Sequence, residues 1–457
     1  EFKQALAFAL RELTSSGWLT GAAEIEALLS QTEARAHRGE AAKLEREACR
    51  IVDLAESALY ASGLARAYCL LGDVLQAKGR LGEALSAFQR YLEISQENAR
   101  VAPSDSSRKS NLAIAYARVG FVYGMQGQLE DALTAYREDL AICRSLVAVA
   151  PENDEWQRNF AVASARVGEV YHLRGRFSEA LVAMRENLSI FEHLALKDPD
   201  NENGQHGLAI AYAHFGSVYE SMGSLEEALS VYCKGLEIFR KLASTDQNNY
   251  SWQRDLGGAH LRLGGVYQRQ ERLEESLTSL SEALKVSRRL VSIDASNSLW
   301  QQDLATIYSR LGNVYEMQGL LDEALVAYSD DLDIFRKLTL MDFSNVGWKR
   351  SLAIAQSKIG DIYEMQGKFD EALAAFKEPL AIFQRLTDQD PSNVQWRRDL
   401  AFAHFRLGQT FERMGSWGKS QSSIRWAVKT MEVAVSMSPE SKDWKRELAA
   451  IKSRLAK

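Results

Sequence analysis

Apolar residues recur along this chain at intervals of three and four, in long stretches separated by short polar turns. In residues 300–347, Leu304, Ile307, Tyr308, Leu311, Val314 and Tyr315 form the stripe of an amphipathic helix over Trp300 to Gln318, here called helix A. Gly319 suits a left-handed C-cap. The pattern resumes over Leu321 to Leu340 with Ala324, Leu325, Tyr328, Leu332, Ile334, Phe335 and Leu338, predicting helix B. Asp342 to Val346 turns the chain. In other units the same place carries a proline that cannot continue a helix, followed by Asp or Asn that can accept the next helix's orphan amides.

The hairpin repeats. Glycine stands at Gly72, Gly120, Gly168, Gly216, Gly264, Gly312, Gly360 and Gly408, each interval being 48 residues. A second column, from Gly79 to Gly415, keeps the spacing and fails once, at Glu271. Trp156, Trp252, Trp300, Trp348, Trp396 and Trp444 share one phase, so eight units run from 60–107 to 396–443. The first glycine column sits in the middle of helix A, where glycine costs about 1 kcal/mol relative to alanine, so a side chain there is expected to block close helix approach. Ala84, Ala132, Ala180, Ala228, Ala324 and Ala372 repeat the argument on helix B. Residues 3–14, 21–37 and 41–58 read as N-terminal helices, the last two a degenerate hairpin broken at Gly39. Residues 444–457 read as a lone helix A that caps the array and closes it as a natural C-terminus would. The opening Glu1-Phe2 is what a fragment of something longer would show.

Leu311-Gly312, Tyr315, Gly319, Ala324 and Tyr328, with their equivalents in every unit, resemble the tetratricopeptide repeat. The resemblance implies an all-α, right-handed α-solenoid of eight tandem helical hairpins with N-terminal helices and a C-terminal capping helix. It also implies a groove lined by helix A. Two departures stand out. The family's usual period is about 34 residues, so both helices here are longer by about two turns, and its small residue after the helix B aromatic is replaced by Asp139, Asn187, Asp331 or Pro379. The long form is similar to arrays in bacterial multidomain proteins, where they sit beside protease-like, signalling or NTPase modules.

Composition agrees with the helical reading, since only 6 prolines and 29 glycines punctuate 457 residues. A net charge of −6 argues against a generic nucleic-acid or anionic-membrane binder. No apolar run reaches the ~20 residues that span a bilayer, and no cleavable leader opens the chain, so a soluble cytoplasmic protein is expected. Cys49, Cys69, Cys143 and Cys233 fit neither a metal site nor a disulfide frame and read as buried filler.

No catalytic constellation emerges, and neither a cofactor nor a metal is expected. The histidines lie in different phases except His260 and His404, and no phosphate loop, nucleophile elbow or dinucleotide-binding glycine turn occurs. One polar column resists a purely structural account: Arg118, Arg166, His214, Arg262, Arg310, Lys358 and Arg406 precede the mid-helix glycine in seven of the eight units, with Leu70 in the first. The resemblance places this column on the ligand-facing side of helix A, where members of the family can use a basic residue to clamp a peptide carboxylate. Arginine suits that task through its bidentate fork. Structural pairing is the competing reading. Arg166 and Lys358 could pair along their own helices with Glu169 and Asp361, and Asp139, Asp331 and Asn187 could meet arginines of neighbouring hairpins.

Variable positions come after the column: Asp73, Phe121, Glu169, Ser217, Gly265, Asn313, Asp361 and Gln409 three residues on, with Met125 four beyond Phe121. Phe121 and Met125 make the most apolar patch of that face and a candidate anchor for a partner's hydrophobic residue. The leading expectation is a non-enzymatic scaffold that binds a protein or peptide, acidic in part, on its helix A face. The alternatives are a sensor or regulatory arm of a longer effector enzyme and a self-associating structural array. RNA binding ranks last because Glu220, Glu316, Glu364 and Glu412 share the face. The oligomeric state stays open.

Overall fold

A computed structural model of the chain describes residues 19–35, 44–57, 61–438 and 441–455. Among them stand nineteen helices and no strand. In chain order they are α1 (Leu19–Arg35), α2 (Glu45–Ser57), α3 (Ala61–Ala77), α4 (Leu81–Val101), α5 (Ser106–Met125), α6 (Leu129–Val149), α7 (Asp154–Leu173), α8 (Phe177–Lys197), α9 (Glu202–Met222) and α10 (Leu225–Thr245). They continue as α11 (Tyr250–Arg269), α12 (Leu273–Ile293), α13 (Ser298–Met317), α14 (Leu321–Met341), α15 (Val346–Met365), α16 (Phe369–Gln389), α17 (Val394–Arg413), α18 (Trp417–Met437) and α19 (Lys442–Ser453). The expected helix over 3–14 and the break at Gly39 lie outside the described residues. The chain forms two compact units, one up to Val231 and one from Tyr232, and the boundary falls inside α10.

The turns obey the predicted chemistry. Asn153, Asn201, Asn249, Asn297, Asn345 and Asn393 cap α7, α9, α11, α13, α15 and α17 by accepting backbone N–H bonds with their side chains, as Asn345 does from Trp348 at 3.0 Å. At the inner turn Gly319 has φ +75°, and Glu271 adopts φ +58° where the glycine column fails. The helix therefore ends the same way with a side chain present, at a steric expense glycine avoids.

Seven of the hairpins close on the mid-helix glycine. A Cβ on Gly360 would lie 2.5 Å from Cε1 of Phe376, so the aromatic of helix B lies directly on the bare backbone of its own helix A. Gly312 stands in the same relation to Tyr328, and Gly72 to Phe88. The helix B alanine column is fully buried beside these contacts. At the C-terminal end Ile451, Trp444, Leu448 and Leu455 of the last segment pack on Ile424, Ala427, Met431 and Ala434, which covers the α18 face. Two of the four cysteines depart from the filler reading: Cys143 is buried and Cys69 half-buried, whereas Cys49 and Cys233 are exposed on their helices.

Candidate functional site

The basic column does not point freely outward. In the first unit Arg118 Nη1 lies 3.1 Å from Asp73, and His214 Nε2 lies 3.3 Å from Glu169. In the second unit Arg406 donates to Asp361 at 2.7 Å, and the Lys358 ammonium donates to Asn313 at 2.9 Å and Ser309 at 2.7 Å. One rule generates most of these contacts: the basic residue meets the side chain 45 positions earlier, on helix A of the preceding hairpin. The two columns read separately in the sequence are thus the two sides of one polar ladder.

Where the earlier position is neither an acid nor an amide, the rule breaks. Position 121 is Phe, and Arg166 turns to the helix B acid Asp139 at 2.9 Å instead. Arg310 faces Gly265, whose Cβ, if present, would lie 3.8 Å from the guanidinium. Arg262 and Arg310 make no ion pair among the described residues. Burial by neighbouring hairpins lowers the Lys358 pKa, opposed mainly by Asp331, and the ammonium sits 4.9 Å from the centre of the Tyr328 ring.

The break at Phe121 opens a cavity of about 280 Å³ between α5 and α7, floored by α6. Arg118 and Phe121 from α5, Arg166 from α7 and Asp139 from α6 converge there. Phe121 is 44% exposed, and Ile114 and Val162, equivalent positions one repeat apart, add exposed apolar surface. Asp139 is only 3% exposed in its side chain; burial raises its carboxyl pKa, and the Arg166 charge opposes the rise. Cys143 donates its S–H to the same carboxylate at 3.4 Å, and burial together with Asp139 pushes the thiol pKa well up, which leaves it no nucleophile. Met125 is exposed on α5 but does not line this cavity.

Ile114 and Val162 were not read from the sequence because they belong neither to the basic column nor to the variable positions after it. Their signal is the helical spacing itself: Ile114, Arg118, Phe121 and Met125 fall at steps of four, three and four along one face. The remaining column members, His214, Arg262, Arg310, Lys358 and Arg406, lie outside the cavity lining. No group of three or more His, Cys, Asp or Glu among the described residues could hold a metal ion. No described helix is long and apolar enough to cross a membrane.

Residues 65–98 and 209–242 match one tetratricopeptide repeat family model, and residues 110–148 match another. The last match contains most of α5 and α6 with the Arg118–Phe121 face. No curated protein matches the chain. Among solved structures, BtubC from P. vanneervenii is similar at 20% identity and a TM-score of 0.45, covering 56% of this chain and 91% of its own. The apo form of the quorum sensor NprR from B. thuringiensis is similar at 14% identity and a TM-score of 0.49, covering 83% of this chain and 94% of its own. A signal-transduction ATPase with a tetratricopeptide repeat sensor from Pyrococcus horikoshii gives 14% and 0.49, covering 88% of this chain and 55% of that one. Residues 65–98, 110–148 and 209–242 are thus matched as tetratricopeptide repeats, and the other hairpins repeat their columns at the same spacing.

Proposed function

We propose that the chain is a non-enzymatic scaffold that binds a peptide or peptide-like segment of a protein partner in the cavity between α5 and α7. One observation carries the reading: Phe121 interrupts the inter-hairpin ladder, and the interruption leaves an apolar recess beside two arginines. A partner's large apolar side chain would fill the space against Ile114, Phe121 and Val162. Its flanking carboxylate would share the guanidinium of Arg118, which pairs with Asp73, or of Arg166, which donates to Asp139. Met125 extends the apolar side along α5. In the second unit Arg262 and Arg310 are the column members that no internal acid neutralises, and we assign them the same task. His214, Lys358 and Arg406 would contribute through the ladder, by holding neighbouring helices in register.

The test is a display-library selection of peptides on the whole chain, with fluorescence polarisation of the selected peptides. Phe121→Ala and Arg118→Ala should each weaken binding about tenfold or more, with circular dichroism unchanged. Selected peptides that bind both variants like the parent would sink the reading.

A further inference from the structure

Position 426 is where the last hairpin departs from the others. Its equivalents are Arg90, Glu138, Glu186, Lys234, Glu282, Asp330 and Glu378, all charged, and the eighth residue is Trp426. Trp426 is 53% exposed. A change from charge to the largest apolar side chain on an open helix face forfeits solvation unless something covers it.

Trp426 walls a recess of about 320 Å³ formed by α16, α17 and α18, with Pro391, Leu400 and Val433 as apolar lining and with Lys429 and Arg397 against Asp388 as its charges. The indole is held in place on both counts that matter for recognition. The His404 ring stacks on it at 6.0 Å between centroids and 19° between planes, and Lys429 Nζ lies 5.3 Å from a ring centroid. Burial lowers the His404 pKa, so its ring is an uncharged wall at neutral pH. Arg397 is pinned at the rim by donating from Nε to the Pro391 carbonyl at 2.8 Å. The same recess recurs one repeat earlier at about 300 Å³, with Glu378 in the place of Trp426 and Lys349 in that of Arg397. The earlier recess lacks the indole and also carries Phe343 in the place of Pro391, Leu340 in that of Asp388 and Arg385 in that of Val433.

Charge changes with the aromatic. Glu83, Asp131, Glu179, Glu227, Glu275, Glu323 and Glu371 open helix B in seven repeats, and Lys419 stands in that column in the eighth. Helix α18 carries Lys419, Arg425 and Lys429 against the single acid Glu432, whereas α16 sets Lys377 and Arg385 against Asp370, Glu371, Glu378 and Asp388. At the recess itself Lys429 and Arg397 stand against Asp388, whose carboxylate accepts from Gln384 Nε2 at 2.9 Å, so the balance of charge favours an acidic occupant over a basic one.

We propose that this recess is a second docking site, distinct from the α5–α7 cavity, which accepts one large aliphatic or aromatic side chain of a protein partner from a segment rich in Asp and Glu. The side chain fills the space against Trp426, Leu400 and Val433, and the flanking carboxylates meet Lys429 and Arg397. The preset indole keeps the entropic expense of ordering small.

A random-peptide display library is selected on the full chain, and the recovered peptides are measured by fluorescence polarisation. Selection should return peptides with Leu, Ile, Met or Phe next to acidic residues. Their Kd should rise about 30-fold or more in Trp426→Glu and about threefold or more in Lys429→Glu, rise with added salt, and stay unchanged in Phe121→Ala. Trp426→Glu installs the residue that the preceding repeat carries, and circular dichroism checks its fold; Trp426→Ala repeats the measurement if the glutamate disturbs it. Absence of any peptide sensitive to position 426 overturns the proposal. So does competition by a dT12 oligonucleotide for those peptides, or a dimer of the parent in sedimentation equilibrium that Trp426→Glu abolishes. Loss of binding in Phe121→Ala alone would support the α5–α7 site while rejecting this one.

Discussion

Arg166 reaches back to Asp139 on helix B of the preceding hairpin, at 2.9 Å, and leaves Glu169, one turn along its own helix, beside His214 of the next. Charges that look like ordinary neighbours on one helix are therefore shared between hairpins, and the stack is held in register by polar pairs as well as by its apolar core.

The burial of the acid sets what each pair is worth. The Asp139 side chain is 3% exposed, whereas that of Asp73, partner of Arg118, is 32% exposed. Removing Arg166 strands a buried carboxylate, so Arg166→Ala should lower stability by about 3 kcal/mol. Arg118→Ala should cost less than about 1 kcal/mol, because water can solvate Asp73. Urea unfolding of the two variants checks the order; equal losses would show that burial is not the deciding variable.

Helix approach at the mid-helix glycines should respond to what lies opposite. Gly312 faces the rigid Tyr328 ring, so Gly312→Leu should overpack the hairpin and destabilise it by about 1–3 kcal/mol. Gly168 faces the flexible end of Met184, with Cε 3.0 Å from the position of a Cβ, and Gly168→Ala should be tolerated far better. Thermal melts of both variants that shift alike would contradict the contact.

Glu271 holds φ +58° at the inner turn where seven repeats place glycine. A side chain in that region is strained by about 1 kcal/mol, so Glu271→Gly should raise the urea midpoint while leaving the helix content unchanged. A lower midpoint would mean that the glutamate side chain makes up for the strain elsewhere.

Asp331 predicts a pH dependence. It is 3% exposed, one of its oxygens is buried without a hydrogen-bond partner, and burial raises its pKa to about 7 against the pull of Lys358. Ser309, Arg310, Glu316 and Asp361 surround the pair. An acid whose folded pKa lies above its unfolded value of about 3.9 binds its proton more tightly when folded. Its contribution to stability therefore falls as pH rises from about 4 through about 7. Lys358, with its pKa lowered by burial, acts with the opposite sign in more alkaline solution. Asp331→Asn should melt higher relative to the parent at pH 8 than at pH 5, by about 2 °C or more. A difference that does not change with pH would refute the assignment.

Much of the architecture was legible from spacing. Helix B, read as Leu321 to Leu340, spans Leu321–Met341, and helix A, read from Trp300, begins two residues earlier at Ser298 because Asn297 caps it. The glycine columns predicted both the left-handed turns and a close helix approach, and the structure supplies the facing residue, Tyr328 for Gly312 and Met184 for Gly168. Of the candidate site, Arg118, Arg166 and Phe121 were legible and do converge, and Asp139, read as a possible partner for a neighbouring hairpin's arginine, meets Arg166, whereas Ile114 and Val162 were not read and Met125 lies on α5 outside the cavity lining. The significance of Trp426 was available as a break in a charged column, but its recess was not, because Pro391, Leu400 and Val433 come from three separate segments.

Local order thus came from the amino acids in their order: the 48-residue unit, its two helices, their caps and the small residues at their crossing depend on contacts within one hairpin. Helical periodicity says which way a side chain points, but not what it meets on the next hairpin. Between neighbouring A helices polar contacts fall at 45 and at 49 residues, on either side of the 48 of the repeat, as when Lys358 meets Asn313 and Ser309. Contacts of that kind paired most of the basic column with polar groups inside the stack and left a cavity where Phe121 has no charge to offer, while the recess around Trp426 needed three helices to meet.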